Sequence, residues 1–197
     1  MKTIISLLTV MFTLTVLNAP AQVQKNDSRW GLEISTGASY GIEDISDAKL
    51  NFGLAVEGLV HFRILEHTGI YAGWGWKNFR VDQSFAGNKM DFEENGYVYG
   101  IQFKHPFTQS QISYMIRAGG TYNHIEIEND DGDLYSDSGH GIGWQVAGGV
   151  DLPIGRSWSV VPSIKYSSLS REFKSDVNTF DSKMNTLSTH IGIFKNF

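Results

Sequence analysis

Eight segments of this chain alternate apolar residues with polar or small ones at a period of two. In the first, residues 30–40, the even positions are mostly aromatic or aliphatic, and the odd positions are Gly, Glu or Ser. Successive side chains of a β-strand point to opposite faces, so this period predicts a strand with one apolar and one polar face. The other segments with this pattern cover residues 52–64, 70–76, 97–103, 112–122, 142–152, 158–166 and 187–197.

The connections between these segments also alternate, between short and long. Short ones fall near residues 65–68, 105–110 and 153–156, and long ones near 41–50, 80–95, 128–140 and 168–184. An even number of strands, with short turns at one end and long loops at the other, is the plan of an outer-membrane barrel. We therefore predict an all-β fold: an eight-stranded antiparallel up-and-down β-barrel that crosses a membrane. A soluble β-sandwich gives no reason for this asymmetry.

Aromatic residues bracket several of the predicted strands. They occur in pairs 8 to 10 residues apart, at Trp30 and Tyr40, Phe52 and Phe62, Tyr114 and Tyr122, and Trp158 and Tyr166. At the rise and tilt of barrel strands, this spacing corresponds to roughly 20–25 Å along the barrel axis. The apolar band of a transmembrane barrel is about 25 Å tall with aromatic girdles at both rims, whereas a lipocalin-like soluble barrel is apolar inside and polar outside.

Charged and amide side chains share the face opposite the aromatic residues. The predicted lumen cluster comprises Glu33, Glu57, Arg63, Gln102, Lys104, Arg117, Gln145 and Lys165, and Asp151 falls on the same face. A charge facing lipid at mid-membrane costs on the order of 2–4 kcal/mol, so this segregation favours an inward orientation. Eight strands leave little room inside, and we predict a salt-bridged plug. The alternative is a polar lumen loose enough to pass small ions.

The first 21 residues have the pattern of a secretory signal peptide. Lys2 is followed by an apolar stretch from Ile4 to Leu17 and by a small-x-small cleavage site at residues 19–21. The stretch is shorter than the roughly 20 residues of a spanning helix, although a retained anchor helix is the alternative. We predict a cleaved signal peptide at 1–21 and a single barrel domain at 22–197. Loss of Lys2 leaves 15 of the 16 basic residues against 21 acidic ones, a balance that excludes nucleic acid as a partner.

The stretch ENDDGDLYSDSG, residues 128–139, makes one of the predicted loops strongly acidic. Clustered carboxylates can bind calcium, which takes about six to eight oxygen ligands. A possible loop cation site would use Asp130, Asp131, Asp133 and Asp137. The stretch lacks the sixth-position Gly and closing Glu of an EF-hand, so we expect a solvated acidic surface and predict no dedicated metal site and no cofactor.

The pattern resembles, over the whole mature chain, the small eight-stranded outer-membrane β-barrels of the OmpX and OmpA transmembrane-domain type. In that family the last strand carries a signal for the barrel-insertion machinery. His190, Gly192 and Phe197 match its polar, glycine and aromatic positions, while Lys195 stands where an apolar residue is expected. The resemblance implies that this strand is read during insertion. We expect it to pair with the strand beginning near Trp30 and to close the barrel.

The functional expectation is an integral protein of a Gram-negative outer membrane with a structural or surface-interaction role. Both termini would lie in the periplasm, and the acidic loops would lie outside the cell. The expected partners are outer-membrane lipid, the insertion machinery during biogenesis, and a surface ligand that the sequence does not name. The first alternative is a narrow porin-like pore for small ions or solutes.

The second alternative is a lipid-modifying enzyme, as in some small outer-membrane barrels. Ser188 and His190 share a face of the last strand, but that face is the lumen, whereas a lipid substrate would meet the outer face. The other histidines show no arrangement of nucleophile, base and orienting group. We therefore predict no catalytic residues.

Overall fold

The computed structural model describes residues 28–43, 45, 48–50, 52–84, 86–108, 110–174 and 179–197. The predicted signal peptide, residues 1–21, lies outside them. Among the described residues, no helix is long and apolar enough to cross a membrane.

Nine strands account for most of the described residues. They are β1 (Trp30–Gly41), β2 (Phe52–Arg63), β3 (Thr68–Ser84), β4 (Gly87–Pro106), β5 (Ser113–Glu128), β6 (Leu134–Asp137), β7 (Gly141–Pro153), β8 (Trp158–Lys174) and β9 (Thr179–Asn196). Eight of them form a closed antiparallel barrel, because β4 pairs with β5 and β1 pairs with β9. The four-residue β6 pairs with the end of β5 outside the barrel. The predicted all-β, eight-stranded barrel is confirmed.

The two rims of the barrel differ in construction. At the terminal rim, near Ser28 and Phe197, short turns at residues 64–67, 107–112 and 154–157 join the strands. The opposite, distal rim carries the remaining connections. The extent predicted for two of its loops is wrong: only residues 85–86 separate β3 from β4, and the β8–β9 ladder continues to Lys174↔Thr179.

The β3–β4 loop was misplaced because the polarity of β3 reverses beyond Trp76. On the barrel wall, apolar side chains of β3 such as Trp74 face outward. Farther along the strand, Arg80 is exposed whereas Phe79 and Val81 are buried inside. The alternation at a period of two continues, but the outward residues are now polar and the inward ones apolar. A strand recognised only by its outward apolar residues is therefore cut short at this point.

An apolar band surrounds the barrel between two aromatic girdles. Ile34, Ile142 and Ile191 point outward, each more than 60 % exposed. At the terminal rim, Trp30 packs on Phe62 with ring centroids 4.7 Å apart, and at the distal rim Tyr40 packs on Phe52 at 5.6 Å. Apolar surface this extensive is buried when lipid surrounds it. The membrane-spanning part of the chain is therefore the wall between the girdles.

The β1–β9 pairing closes the barrel in a continuous register from Gly31↔Asn196 to Gly41↔Thr186. The Phe197 N–H donates to the Trp30 carbonyl at 3.1 Å. The Lys195 ammonium lies 5.2 Å from the Trp158 ring centroid and 4.9 Å from that of Phe197. The lysine thus takes an outward position in the terminal girdle by stacking its charge on two aromatic rings.

Pro162 interrupts the ladder between β7 and β8. Paired residues occur on either side, at Gly149↔Ser163 and Leu152↔Val160, in the same register. Proline has no N–H to donate, which explains the gap. Because the register does not shift, this position is not a β-bulge.

Candidate functional site

The lumen near the terminal rim is crossed by an ion pair between opposite walls. The Arg117 guanidinium of β5 binds both carboxylate oxygens of Glu33 on β1, and its Nε donates to Gln102 Oε1 at 2.8 Å. His61 Nε2 lies 3.4 Å from Glu33 Oε2. Glu33 and Arg117 are both buried, and their bidentate pairing offsets the cost of removing two charges from water.

A second ion pair crosses the middle of the lumen. The Lys165 ammonium of β8 donates to Glu57 Oε2 on β2, and both side chains are buried. Beside them, Ser35 Oγ lies 3.3 Å from His190 Nδ1, and the Gln145 amide donates to the Tyr71 hydroxyl at 3.2 Å. This layer joins β2 directly to β8, strands that are not neighbours in the sheet.

A third ion pair lies toward the distal rim. Lys77 Nζ donates to Glu94 Oε2 at 2.8 Å and to Ser167 Oγ at 2.7 Å. The Asn123 amide donates to the other Glu94 oxygen at 2.8 Å. The three buried pairs contain three acidic and three basic groups, so this inward network carries no net charge.

Little space remains between these layers. Two interior cavities, one beside Lys77 and Glu94 and the other beside Glu33 and Arg117, each have a volume of about 10 Å³. A cavity of that size holds about one water molecule. The ion pairs and their neighbours therefore fill the lumen instead of lining a water column.

Above the polar layers, an apolar cap closes the distal end of the barrel. It consists of eleven buried side chains: Ile45, Ala48, Leu50, Phe79, Val81, Met90, Phe92, Ile125, Ile127, Leu169 and Met184. Most belong to the parts of β3, β4, β5, β8 and β9 that continue beyond the distal girdle, here called the distal extension. Ile45, Ala48 and Leu50 come from the β1–β2 connection. Burying a large apolar side chain contributes about 1.5–3 kcal/mol, so the cap stabilises this extension away from lipid.

The structure divides the eight predicted lumen residues into two groups. Six belong to the layers described above: Glu33, Glu57, Gln102, Arg117, Gln145 and Lys165. Lys104 instead pairs with Asp151 near the terminal rim, and Arg63 ends β2 at the same rim. Both line a cavity of about 330 Å³ that opens at the terminal end.

Sequence reasoning did not include Lys77 and Glu94 in the lumen. Glu94 fell within a predicted loop, and Lys77 stood just before it. The parity of β3 and β4 is the signal that could have found them, since Lys77 continues the inward series of Gly73 and Gly75.

The outward face of the distal extension carries a ladder of carboxylates, here called the distal acidic surface: Asp91, Glu93, Glu126, Glu128 and Asp137. Cross-strand pairs place Asp91 opposite Glu128, and Glu126 opposite both Glu93 and Asp137. Like charges directly opposite one another repel. Burial, together with the neighbouring carboxylates of Glu93, Glu126 and Asp91, raises the pKa of Glu128 above its usual value.

Some of this repulsion is offset by hydrogen bonds. Glu93 accepts from the Trp76 indole at 2.9 Å and from the Asn78 amide at 3.0 Å. Arg80 lies 3.6 Å from Asp91 and donates to Asp130 at 3.0 Å. Donors from β3 therefore hold this edge of the acidic surface in a defined arrangement.

The four aspartates of the predicted loop cation site do not converge. Asp130 pairs with Arg80, whereas Asp131 and Asp133 are bound through their backbone N–H groups to Asn129 Oδ1. Asp137 points elsewhere, to His124 Nδ1 at 3.0 Å. Burial raises its pKa, but the hydrogen bond from the Gly139 N–H and the neighbouring His124 and His140 imidazoles outweigh this, so the pKa of Asp137 is lowered.

Two residues of the predicted insertion signal, His190 and Gly192, lie on β9, and the third, Phe197, follows it directly. His190 and Gly192 face the lumen, where Gly192 packs beside Glu33, and Phe197 is exposed in the terminal girdle. Ser188 is hydrogen-bonded to Ser39 at 2.8 Å, and His190 contacts Ser35 instead. The Ser188 hydroxyl and the His190 imidazole therefore have separate partners.

The fold and the inward polar network together are those of an outer-membrane barrel, and comparison with known families agrees. Residues 9–192 match the family model described as outer membrane protein beta-barrel domain. The chain belongs to this family. Membership of the family supports location in an outer membrane. No curated protein matches the sequence well enough to count as a relative.

Solved structures of small barrels share the fold. Neisserial surface protein A is 12 % identical, with 85 % of this chain and 97 % of that one covered and a TM-score of 0.65. The outer membrane protein OprG from Pseudomonas aeruginosa is 14 % identical, with 89 % of this chain and 99 % of that one covered and a TM-score of 0.60. The attachment invasion locus protein Ail of Yersinia pestis is 13 % identical, with 86 % of this chain and 99 % of that one covered and a TM-score of 0.51. At these identities the likeness concerns the fold alone.

Proposed function

We propose that this protein is a closed outer-membrane barrel that displays its distal extension at the cell surface and acts there by surface interaction, without conducting ions and without catalysis. The observation that carries this proposal is the filled lumen. Two buried ion pairs cross it, a third joins neighbouring strands toward the distal rim while its lysine reaches across to Ser167, and the apolar cap lies above them. The names of two proteins with the same fold, a surface protein and an attachment protein, are consistent with such a role.

The orientation follows from the proposed location. The terminal rim faces the periplasm, and the distal extension projects from the outer leaflet. The extension is built of paired strands with an apolar core, so it presents its carboxylates on a rigid surface. A partner with positive charge, or one bridged by divalent cations, would be attracted to it.

Single-channel recording tests the proposal. The refolded mature chain, inserted into a planar bilayer, is expected to show no discrete conductance steps, because neither the ion-pair layers nor the apolar cap leaves a continuous water path. A conducting porin in the same bilayer controls for the recording, and protease protection of the barrel shows that the protein has inserted.

Discrete, reproducible steps from the wild-type protein would contradict the proposal. They would favour the narrow porin-like pore instead. Glu57, Arg117 and Lys165 would then be the first candidates for residues that select among ions.

A further inference from the structure

A histidine on the distal acidic surface is held in one tautomer by its neighbours. His124 lies on β5 beyond Tyr122 and is only 9 % exposed, because the ring of His140 stacks on it with centroids 4.3 Å apart. Its Nε2 lies 2.8 Å from Asn95 Oδ1. The Asn95 amide nitrogen donates to Glu126 Oε2 at 3.2 Å, so Oδ1 is the acceptor and His124 Nε2 carries the hydrogen.

The other ring nitrogen faces two carboxylates. His124 Nδ1 lies 3.0 Å from Asp137 Oδ1 and 3.9 Å from Glu126 Oε1. With Nε2–H donating to Asn95, the neutral ring presents a lone pair at Nδ1, and a lone pair repels a carboxylate oxygen at this distance. A positive charge between the two atoms removes the repulsion. It can be a proton on Nδ1 or a metal ion bound by all three groups.

The geometry fits a small metal ion. One ligand atom from each of His124, Glu126 and Asp137 lies within 4.8 Å of the others. In a tetrahedral zinc site with nitrogen and oxygen ligands at about 2.0–2.2 Å, ligand atoms are separated by about 3.4 Å. The observed separations from Nδ1, 3.0 and 3.9 Å, lie on either side of that value.

Neighbouring groups orient the three ligands. Asn95 holds both the His124 ring and the Glu126 carboxylate, and the Gly139 N–H donates to Asp137 Oδ1 at 2.7 Å. Outer hydrogen bonds of this kind fix the tautomer and direction of metal-binding histidines. Glu126 and Asp137 remain partly exposed, so an ion can enter from solvent.

We propose that His124 Nδ1, Glu126 and Asp137 form a binding site for a divalent transition-metal ion. The imidazole nitrogen disfavours calcium and magnesium, which take oxygen ligands, and favours ions of the zinc type. The site differs from the loop cation site considered from the sequence, because of those four aspartates only Asp137 takes part. It does not depend on whether the lumen conducts.

Calorimetric titration of the refolded mature chain in detergent micelles with zinc chloride tests the proposal. We expect saturable binding of one ion per chain. Asp137→Asn and His124→Gln should each weaken this binding at least tenfold, and Asn95→Ala should weaken it by about tenfold through loss of the outer hydrogen bonds. Heat-modifiable mobility on a denaturing gel shows that each variant is folded.

Two controls separate a built site from general attraction. Asp131→Asn removes the same charge from the adjacent β5–β6 connection, and His67→Gln removes a histidine at the terminal rim, so both should change zinc affinity by less than threefold. Calcium at a hundredfold excess should not displace zinc. On zinc binding, the Nδ1 resonance of His124 should move to a value that differs from that of the protonated ring.

Three results would overturn the proposal. The first is the absence of saturable zinc binding by the folded wild-type chain up to millimolar zinc. That result would mean that a proton on Nδ1, and not a metal ion, lies between His124 and Asp137. The second is equal weakening by Asp131→Asn and Asp137→Asn, which would indicate diffuse attraction to the acidic surface. The third is full binding by His124→Gln.

Discussion

Replacing Arg117 with methionine is expected to lower the free energy of unfolding by about 3–5 kcal/mol, the cost of breaking a buried ion pair on one side. The change leaves the Glu33 carboxylate without its bidentate partner and Gln102 Oε1 without its donor. His61, 3.4 Å from Glu33, cannot replace two guanidinium N–H groups. Urea unfolding of the protein in lipid vesicles, followed by tryptophan fluorescence, measures the loss.

The double variant Arg117→Met with Glu33→Leu separates the ion pair from packing. Removing both charges avoids an uncompensated carboxylate, and we expect it to regain most of the stability lost by the single variant. Arg156→Met, at an exposed position in the β7–β8 turn, should change stability by no more than about 0.5 kcal/mol. The interpretation would be wrong if Arg117→Met lowered the free energy of unfolding no more than Arg156→Met does.

Replacing Phe92 with alanine is expected to destabilise the distal extension by about 3–5 kcal/mol, as for other buried phenylalanines. Phe92 is fully buried in the apolar cap, where Phe79 and Ile127 lie in the same cluster. Because the cap lies beyond the distal girdle, we expect local opening of the extension while the lipid-embedded wall stays folded. Amide hydrogen exchange measures this as faster exchange in residues 79–81 and 90–94, with protection kept in residues 54–60.

The matched control is Asp82→Ala, on the same β3 extension but exposed. It removes no buried contact and should leave the exchange of these amides within about twofold of wild type, an effect below 0.5 kcal/mol. Equal exchange in the Phe92→Ala protein and the wild type would show that the cap does not stabilise the extension. Acceleration throughout the wall would show that extension and barrel unfold as one unit.

The lipid-embedded wall was predictable because one physical rule governs it. Facing lipid, a strand must present apolar side chains outward, and the inward face is free to be polar. Glu33, Glu57, Arg117 and Lys165 could therefore be assigned to the inward face from residue parity alone. Their ion-pair partners could not be assigned in this way, because Glu33 and Arg117 are 84 residues apart in sequence. They meet only because barrel closure places β1 and β5 on opposite sides of one narrow lumen.

The distal extension was not predictable by the same rule. Beyond Trp76 the outward face meets water instead of lipid, so the preferred polarity of the strand inverts. Phe79 and Phe92 then turn inward into a core of the ordinary soluble kind. Read with the membrane rule, these segments resembled loops.

The sequence by itself determined the number of barrel strands, the two faces of the wall and the membrane that surrounds it, since period, polarity and girdle spacing are local properties of the chain. Only the tertiary structure decided which charges pair across the lumen, that an apolar cap lies above them, and that His124, Glu126 and Asp137 meet on one surface. Those contacts depend on barrel closure and on the pairing of β6 with β5. Residues distant along the chain become neighbours through hydrogen-bond register, which alternation alone does not specify.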